Sequence, residues 1–512
     1  MVSTFAAIEI GSYDVTLEIF EISRKTGIRV VETVRHRLEL GKDAYAKRKI
    51  GQDMVDDLCE TLSDFVRIMN GYNVSAKRVI ATSALREADN NLFILGKIRK
   101  MTGLEVEILS NSEQRFLQYK AIASNESHFE KMIEKGTAII DVDGGSIQIS
   151  LFDKEALVST QNIRIGSLRI REVLAEAAAQ TTDYVSLVEQ LIQNEIFVFR
   201  KMFLKTRNVE NIILAGEFIN SYKPSMEHFN FPGTMTREEF DNWYQKVIDS
   251  SETDLAMNMD IPVEYASLLQ PTAIIYHRLI VEMECSLIWA PGVRLARGAA
   301  YEYAEQQKLL KMRHDFENDI IKAARNIGKR YAVNRAHVDN MCMTAQAIFD
   351  AIKKRQNYTS RERLLLQIAC MLHDVGKYIS LSYVAECNYS IIMSNEIIGL
   401  SHTEREVIAL ITRYITMPLP QYDVLAQESS ISEREYLLVA EFVAIVRFCN
   451  ALDRSHTEKI IEMKALLKEQ KIQMNLTVRQ DFTLEQELLK DKTEFFTEVF
   501  GIAPVLKLKK QV

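Results

Sequence analysis

Ala7–Ile22 reads AIEIGSYDVTLEIFEI, and Ile139–Phe152 reads IIDVDGGSIQISLF. In each, an apolar run broken by one acid meets a glycine turn. The chain then resumes as alternating apolar and polar residues, the pattern of strand, tight turn and strand. The two stretches align without a gap, Ile8-Glu9-Ile10-Gly11-Ser12 on Ile140-Asp141-Val142-Asp143-Gly144. The in-frame repeat predicts two α/β halves, each opening on a hairpin that carries one acid and a glycine turn.

Short strands are expected at Arg78–Ala84, Val106–Leu109 and Ile212–Ala215, with helices at Asn91–Thr102, from Glu113, and over Asp183–Phe203. From about Glu302 the strand-like runs end. Helical spacing then dominates to about Leu467, as in Cys342, Ala345, Ile348 and Phe349. Lys471–Val478 and Pro504–Leu508 read as strands around an amphipathic helix, Leu484–Phe500.

The 512 residues suffice for three or four domains with cores of their own. With 63 Lys+Arg against 70 Asp+Glu, the net charge of -7 argues against a duplex nucleic-acid binder. No apolar run approaches the ~18 residues of a membrane span. Six scattered Cys, none in a CxxC pair, indicate neither a zinc ribbon nor a disulfide framework. The start, MVSTFAAIEIGS, lacks the marks of a signal peptide. A cytoplasmic protein without a membrane partner is expected.

An acid inside a buried strand costs desolvation unless it is paired or holds a cation. A glycine hairpin lets a phosphate approach the main chain. Two such hairpins facing across a cleft could hold a phosphate chain and Mg²⁺. The alternative is that Glu9 and Asp141 are salt-bridged strand residues and the glycines only turn the chain.

Further segments carry a family resemblance. Glu9-Ile10-Gly11-Ser12-Tyr13-Asp14 resembles D-x-G-S-N-S. The run Ala81-Thr82-Ser83-Ala84-Leu85-Arg86-Glu87-Ala88-Asp89-Asn90-Asn91 resembles A-T-S-A-x-R-D-A-x-N. Ser110-Asn111-Ser112-Glu113-Gln114-Arg115-Phe116-Leu117 resembles S-G-x-E-E-A-R-L. Asp141-Val142-Asp143-Gly144-Gly145-Ser146-Ile147-Gln148 resembles D-x-G-G-G-S-T-E. Ile165–Glu172 and Leu295-Ala296-Arg297-Gly298 follow as later segments. These are motifs of the exopolyphosphatase / guanosine pentaphosphate phosphohydrolase (Ppx/GppA) family, which the whole chain resembles.

The resemblance implies two actin-like (ASKHA, ribonuclease H-like) lobes at 1–123 and 124–302. An all-α HD-like domain is then expected at 303–467 and a small α/β cap at 468–512. It implies hydrolysis, or binding, of inorganic polyphosphate or guanosine pentaphosphate or tetraphosphate between the hairpins, with Mg²⁺. Gly11, Ser12, Arg86, Gly144, Gly145 and Ser146 would meet phosphate, Glu9 and Asp141 the metal. Catalytic positions map to Glu113, Gln114, Asp141 and Gln148. A homodimer is left open.

The departures are chemical. Where the family has catalytic glutamates, this chain has Gln114 and Gln148, and an amide cannot take a proton from water. Glu113 is the neighbouring acid that could serve instead, though adjacent helical side chains diverge by about 100°. A family glycine is Asp143. The segment Leu214-Ala215-Gly216-Glu217-Phe218 lacks Gly-Gly-Thr. The alternative function is therefore a catalytically impaired regulatory protein that binds polyphosphate or alarmone. Restoring glutamate at 114 and 148 is expected to raise activity. For Arg86 the alternative to a phosphate contact is a helix-entry ion pair with Glu87 or Asp89.

In the helical part, Leu372-His373-Asp374-Val375-Gly376-Lys377 carries an H-D dipeptide like that of HD-type metal phosphohydrolases. His337 fits an earlier ligand. Asn450 stands at a later ligand position, and Tyr383–Asn388 offers no His. The set reads as incomplete, and the plainer expectation is that His373 and Asp374 form a buried hydrogen-bonded pair.

Overall fold

A computed structural model describes residues 2–510 apart from 125, 217, 218, 220–231, 260 and 312. Glu217 and Phe218 of the later loop segment lie outside the described residues. The chain divides into two compact units, one ending at Asp315 and the other beginning at Phe316.

In the first unit, β1 (Ser3–Ile10), β2 (Asp14–Ser23), β3 (Gly27–Arg37), β4 (Ala76–Ala81) and β5 (Val106–Ile108) form one sheet in the order β3-β2-β1-β4-β5. The second sheet contains β6 (Thr137–Val142), β7 (Ile147–Asp153), β8 (Ala156–Ile163), β9 (Asn211–Ala215), β10 (Thr234–Thr236) and β11 (Leu287–Trp289). Its order is β10-β11-β9-β6-β7-β8. The sequence repeat is thus a structural one. In both sheets an antiparallel meander is extended by two parallel strands, β4 and β5 in the first and β9 and β11 in the second.

Period-two alternation sets the faces. In β1, Ala6, Ile8 and Ile10 enter one core with Val15, Leu17 and Leu58. Phe5 and Ala7 enter another, against Ala296, Ala299, Ala300 and Ala304. Glu9 shares the second face by parity and sits one residue from the end of β1, opposite Thr16. Asp141 occupies the same place in β6, opposite Gln148.

Helix Leu295–Gln306 supplies those alanines, so the chain returns to the first sheet after completing the second. The boundary expected at 302/303 falls inside this helix. Gly298 lets this helix lie close against helix Asn111–Ala123, because a Cβ there would lie 2.1 Å from the carbonyl oxygen of Leu117.

The second unit contains helices Phe316–Arg330, Arg335–Gln356, Ser360–Leu372, Val384–Ser394, His402–Arg413 and Glu433–Leu452. It ends in a sheet of β12 (Ile460–Lys468), β13 (Lys471–Val478) and β14 (Ala503–Lys510), in that order. β12 corrects the helical reading to Leu467. Its pairing with β13 is irregular between Ile460 and Glu462, which places buried apolar residues at Ile460 and Met463. With Leu467 these fall at i, i+3 and i+7, so a bulged strand imitates helical spacing. The helix expected over Leu484–Phe500 is two helices, Thr483–Leu488 and Lys490–Phe500.

Candidate active site

The β1–β2 and β6–β7 turns meet at one cleft, lined by Glu9, Gly11, Ser12, Asp14, Asp141, Asp143 and Gly144 among others. A Cβ on Gly144 would lie 3.4 Å from that of Ser12, so the turns face each other as the repeat implies. Gly145 packs more tightly, and a Cβ there would lie 2.2 Å from the Tyr45 hydroxyl. Tyr45, Ser12 and Ser83 close a triangle of hydroxyls: Ser12–Tyr45 2.6 Å, Ser12–Ser83 2.7 Å and Tyr45–Ser83 2.9 Å. Arg169 lies over the Tyr45 ring at 4.0 Å and pairs with Glu87 at 2.8 Å.

The acids are crowded. Burial first, then repulsion from Asp14, Asp143 and Glu18, pushes Glu9 up to about 8. Asp141 is raised by burial, Asp143 and Glu9. Its Oδ1 is buried and has no hydrogen-bond partner among the described residues. Burial pushes Asp143 up to about 6, against the pull of Arg86 and hydrogen bonds from two amides.

Those amides belong to the two glutamines. Gln114 Nε2 donates to Asp143 Oδ2 at 2.6 Å and Gln148 Nε2 to the same oxygen at 3.4 Å. Arg86 donates to the Leu109 carbonyl at 2.5 Å and, at 3.4 and 3.5 Å, to Gln114 Oε1. Arg86, Gln114 and Asp143 form a relay in which each group orients the next. Gln114 lines the cleft and Arg86 stands behind it. The Glu87 and Asp89 proposed as its ion-pair partners bind Arg169 and Arg48. Arg86→Ala removes charge-assisted bonds and should cost about 1.5–3 kcal/mol. A lowered melting temperature with a lesser change in polyphosphate affinity is the expected outcome.

Glu113 does not share the position of Gln114. Its Oε2 accepts from Ser110 N at 2.9 Å and Ser110 Oγ at 2.6 Å, closing a capping box on helix Asn111–Ala123. The helix begins two residues before the expected Glu113. Ser146 Oγ is buried without a partner among the described residues.

Sequence reasoning missed Tyr45, Ser83, Asp14, Arg35 and Arg294. Arg35 pairs with Asp14 at 3.0 Å and Arg294 with Glu18 at 3.2 Å, placing two cations at the cleft. It also met Asp143 only as a departure. Two carboxylates lost and one gained nearby was the available signal.

Gly166 supports the second loop. A Cβ there would lie 2.3 Å from the Asp143 carbonyl and 2.4 Å from Ser146 N. Gly166→Ala should therefore destabilise by about 1–3 kcal/mol through overpacking, read as a lower melting temperature.

In the second unit, His337 Nδ1 lies 2.7 Å from Asp453 Oδ2, and His337 Nε2 lies 3.1 Å from His373 Nε2. The plainer expectation, a buried hydrogen bond between His373 and Asp374, is not met, since His373 Nε2 and Asp374 Oδ2 stand 3.6 Å apart. Asp374 Oδ2 instead accepts from Lys377 Nζ at 2.6 Å.

No helix among the described residues is long and apolar enough to cross a membrane. Relatives agree with the fold. The chain is 21% identical over 436 residues to guanosine-5'-triphosphate,3'-diphosphate pyrophosphatase of Photobacterium profundum, covering 80% of each. An exopolyphosphatase crystal structure from Cytophaga hutchinsonii superposes with a TM-score of 0.51 at 16% identity, covering 59% of this chain and 98% of that one. A crystal structure of an exopolyphosphatase-like protein gives a TM-score of 0.51 at 16% identity, over 60% of this chain and 99% of the other. The Ppx/GppA phosphatase family model matches residues 19–304 and its domain III model residues 321–494, so the chain belongs to the Ppx/GppA phosphatase family.

Proposed function

We propose that the cleft hydrolyses the terminal phosphoanhydride of inorganic polyphosphate or guanosine pentaphosphate, with Asp143 as general base. The observation that carries this is the bond from both glutamine amides to Asp143 Oδ2. The three departures then form one compensated exchange: the carboxylate has moved from helix and strand to the loop between them. Asp143 takes a proton from water as the water oxygen attacks the terminal phosphorus. The bridging P–O bond breaks, releasing orthophosphate and a chain one phosphate shorter. Ser12, Ser83 and the backbone at Gly11 and Gly144 hold the chain, and Arg35 and Arg294 supply charge. Gly145 and Ser146 shape the second loop. Arg86 acts by fixing Gln114.

Mg²⁺ fits this donor set, because Asp141 Oδ1 has no hydrogen-bond partner among the described residues, and burial and neighbouring carboxylates raise both Glu9 and Asp141. Glu9 and Asp141 would hold it. When bound, it would neutralise charge on the phosphate oxygens.

A second reading, a binding protein with impaired catalysis, is favoured by the amides Gln114 and Gln148 at positions where the family has glutamates. Phosphate release from long-chain polyphosphate and from guanosine pentaphosphate with Mg²⁺, measured beside affinity on the same sample, separates the two. Turnover that rises with pH as Asp143 ionises supports the first. Binding without release selects the second.

A further inference from the structure

The hydroxyls of Tyr45, Ser12 and Ser83 pose a proton-counting problem. Each carries one hydrogen, and the three contacts of 2.6, 2.7 and 2.9 Å close a ring that uses all three. Ser12 and Ser83 line the cleft, while Tyr45, on helix Leu40–Lys47, stands behind them. A phosphate oxygen only accepts. For both serines to donate to one terminal phosphate, both of their hydrogens must turn out of the ring. The serine oxygens then face each other at 2.7 Å with lone pairs alone, a repulsive arrangement. The phenolic hydrogen of Tyr45 is the one left to lie between them.

The surroundings hold the phenol in that role. Burial raises it above its ordinary range, so it keeps its proton. The Arg169 guanidinium lies 4.0 Å from the ring centroid and is itself fixed by Glu87 at 2.8 Å and the Gly145 carbonyl at 3.2 Å. Two glycines leave the space the ring occupies. A Cβ on Gly41 would lie 2.8 Å from Tyr45 Cε2, and one on Gly145 2.2 Å from the hydroxyl. Gly41 N donates to the Ser12 carbonyl at 2.7 Å, tying the helix to the first turn. Tyr45 thus meets the first turn through Ser12 and the second through Gly145 and Arg169.

We propose that Tyr45 is a positioning residue for the terminal phosphate, its hydroxyl donating to the Ser12 and Ser83 oxygens so that both serines donate to the phosphate together. No covalent bond changes: the ring opens, two hydrogens turn to the ligand and one stays. The proposal rests on the cleft binding a phosphate chain, and it holds for the hydrolase and for the binding protein alike.

The test is a double-mutant cycle of Tyr45→Phe and Ser83→Ala in the full-length chain, read on affinity for inorganic polyphosphate with Mg²⁺ and on phosphate release. Tyr45→Phe keeps the ring under Arg169 and removes only the hydroxyl. One serine proton must then stay between the two oxygens, and one charge-assisted bond to phosphate is lost. Affinity should fall about 10–100-fold. KM should rise with it while kcat nearly holds, since the serines meet oxygens charged before the reaction as well as during it. In the Ser83→Ala background the conflict is gone, and Tyr45→Phe should cost less than about 3-fold. Equal losses in the two backgrounds, unchanged affinity in Tyr45→Phe, or a loss confined to kcat overturns the role. Binding without release ends the hydrolytic reading alone, and the affinity cycle still decides Tyr45. A chain that neither binds nor releases overturns both.

Discussion

Asp143→Asn should lower phosphate release by about 10²–10⁴-fold, the contribution of a positioned general base, while polyphosphate affinity should hold or improve. The substitution keeps the side-chain shape and removes both the proton acceptor and a negative charge beside a polyanion. The same geometry changes what Gln114→Glu should do. A carboxylate there would replace the amide that donates to Asp143 Oδ2 at 2.6 Å. Two like charges at that distance cannot both ionise. The gain expected from the sequence should therefore be absent in Gln114→Glu with Gln148→Glu and emerge only when Asp143→Gly is added. Undiminished turnover in Asp143→Asn overturns the assignment.

Glu9 should make the metal-free protein lose stability as pH rises. Its folded value, about 8, lies above its ordinary 4.5. Between those limits the native state holds a proton that the unfolded state has released, so stability falls across pH 4.5–8. At 1.36 kcal/mol per pH unit the loss is on the order of 5 kcal/mol. Asp141 and Asp143 act in the same direction. His128 and His373, both held down to about 4, act in the opposite one below their ordinary value. The informative quantity is thus the difference in urea-unfolding free energy between the unaltered chain and Glu9→Gln in chelator. That difference should decline from pH 4.5 to 8, and a constant difference refutes the buried-acid account.

The hairpins were legible because a strand repeats every two residues and glycine marks the turn. Ile8–Ser12 and Ile140–Gly144 therefore carried the twofold plan of the unit in a few residues. Lys471–Val478 was equally plain. β12 was not, because one irregular pair shifts Met463 into helical spacing with Ile460. At the site, the acids Glu9 and Asp141 could be placed from local pattern. Tyr45 and Arg294 could not, since they reach the cleft through separations of 33 residues to Ser12 and 276 to Glu18. Asp143 is the intermediate case. Its residue type was visible, but its partners at 114 and 148 become meaningful only once Oδ2 is seen to bind both.

Helix Leu295–Gln306 has a consequence for synthesis. The face of the first sheet bearing Phe5, Ala7, Phe20 and Ile22 is covered by alanines that emerge from the ribosome almost 300 residues later. At about 5–20 residues per second, that face waits roughly 15–60 s for its cover. The second sheet can assemble in the interval, so the amino-terminal half is the last part of the unit to close. A nascent chain arrested before residue 295 should offer chaperones an apolar surface that the finished protein hides.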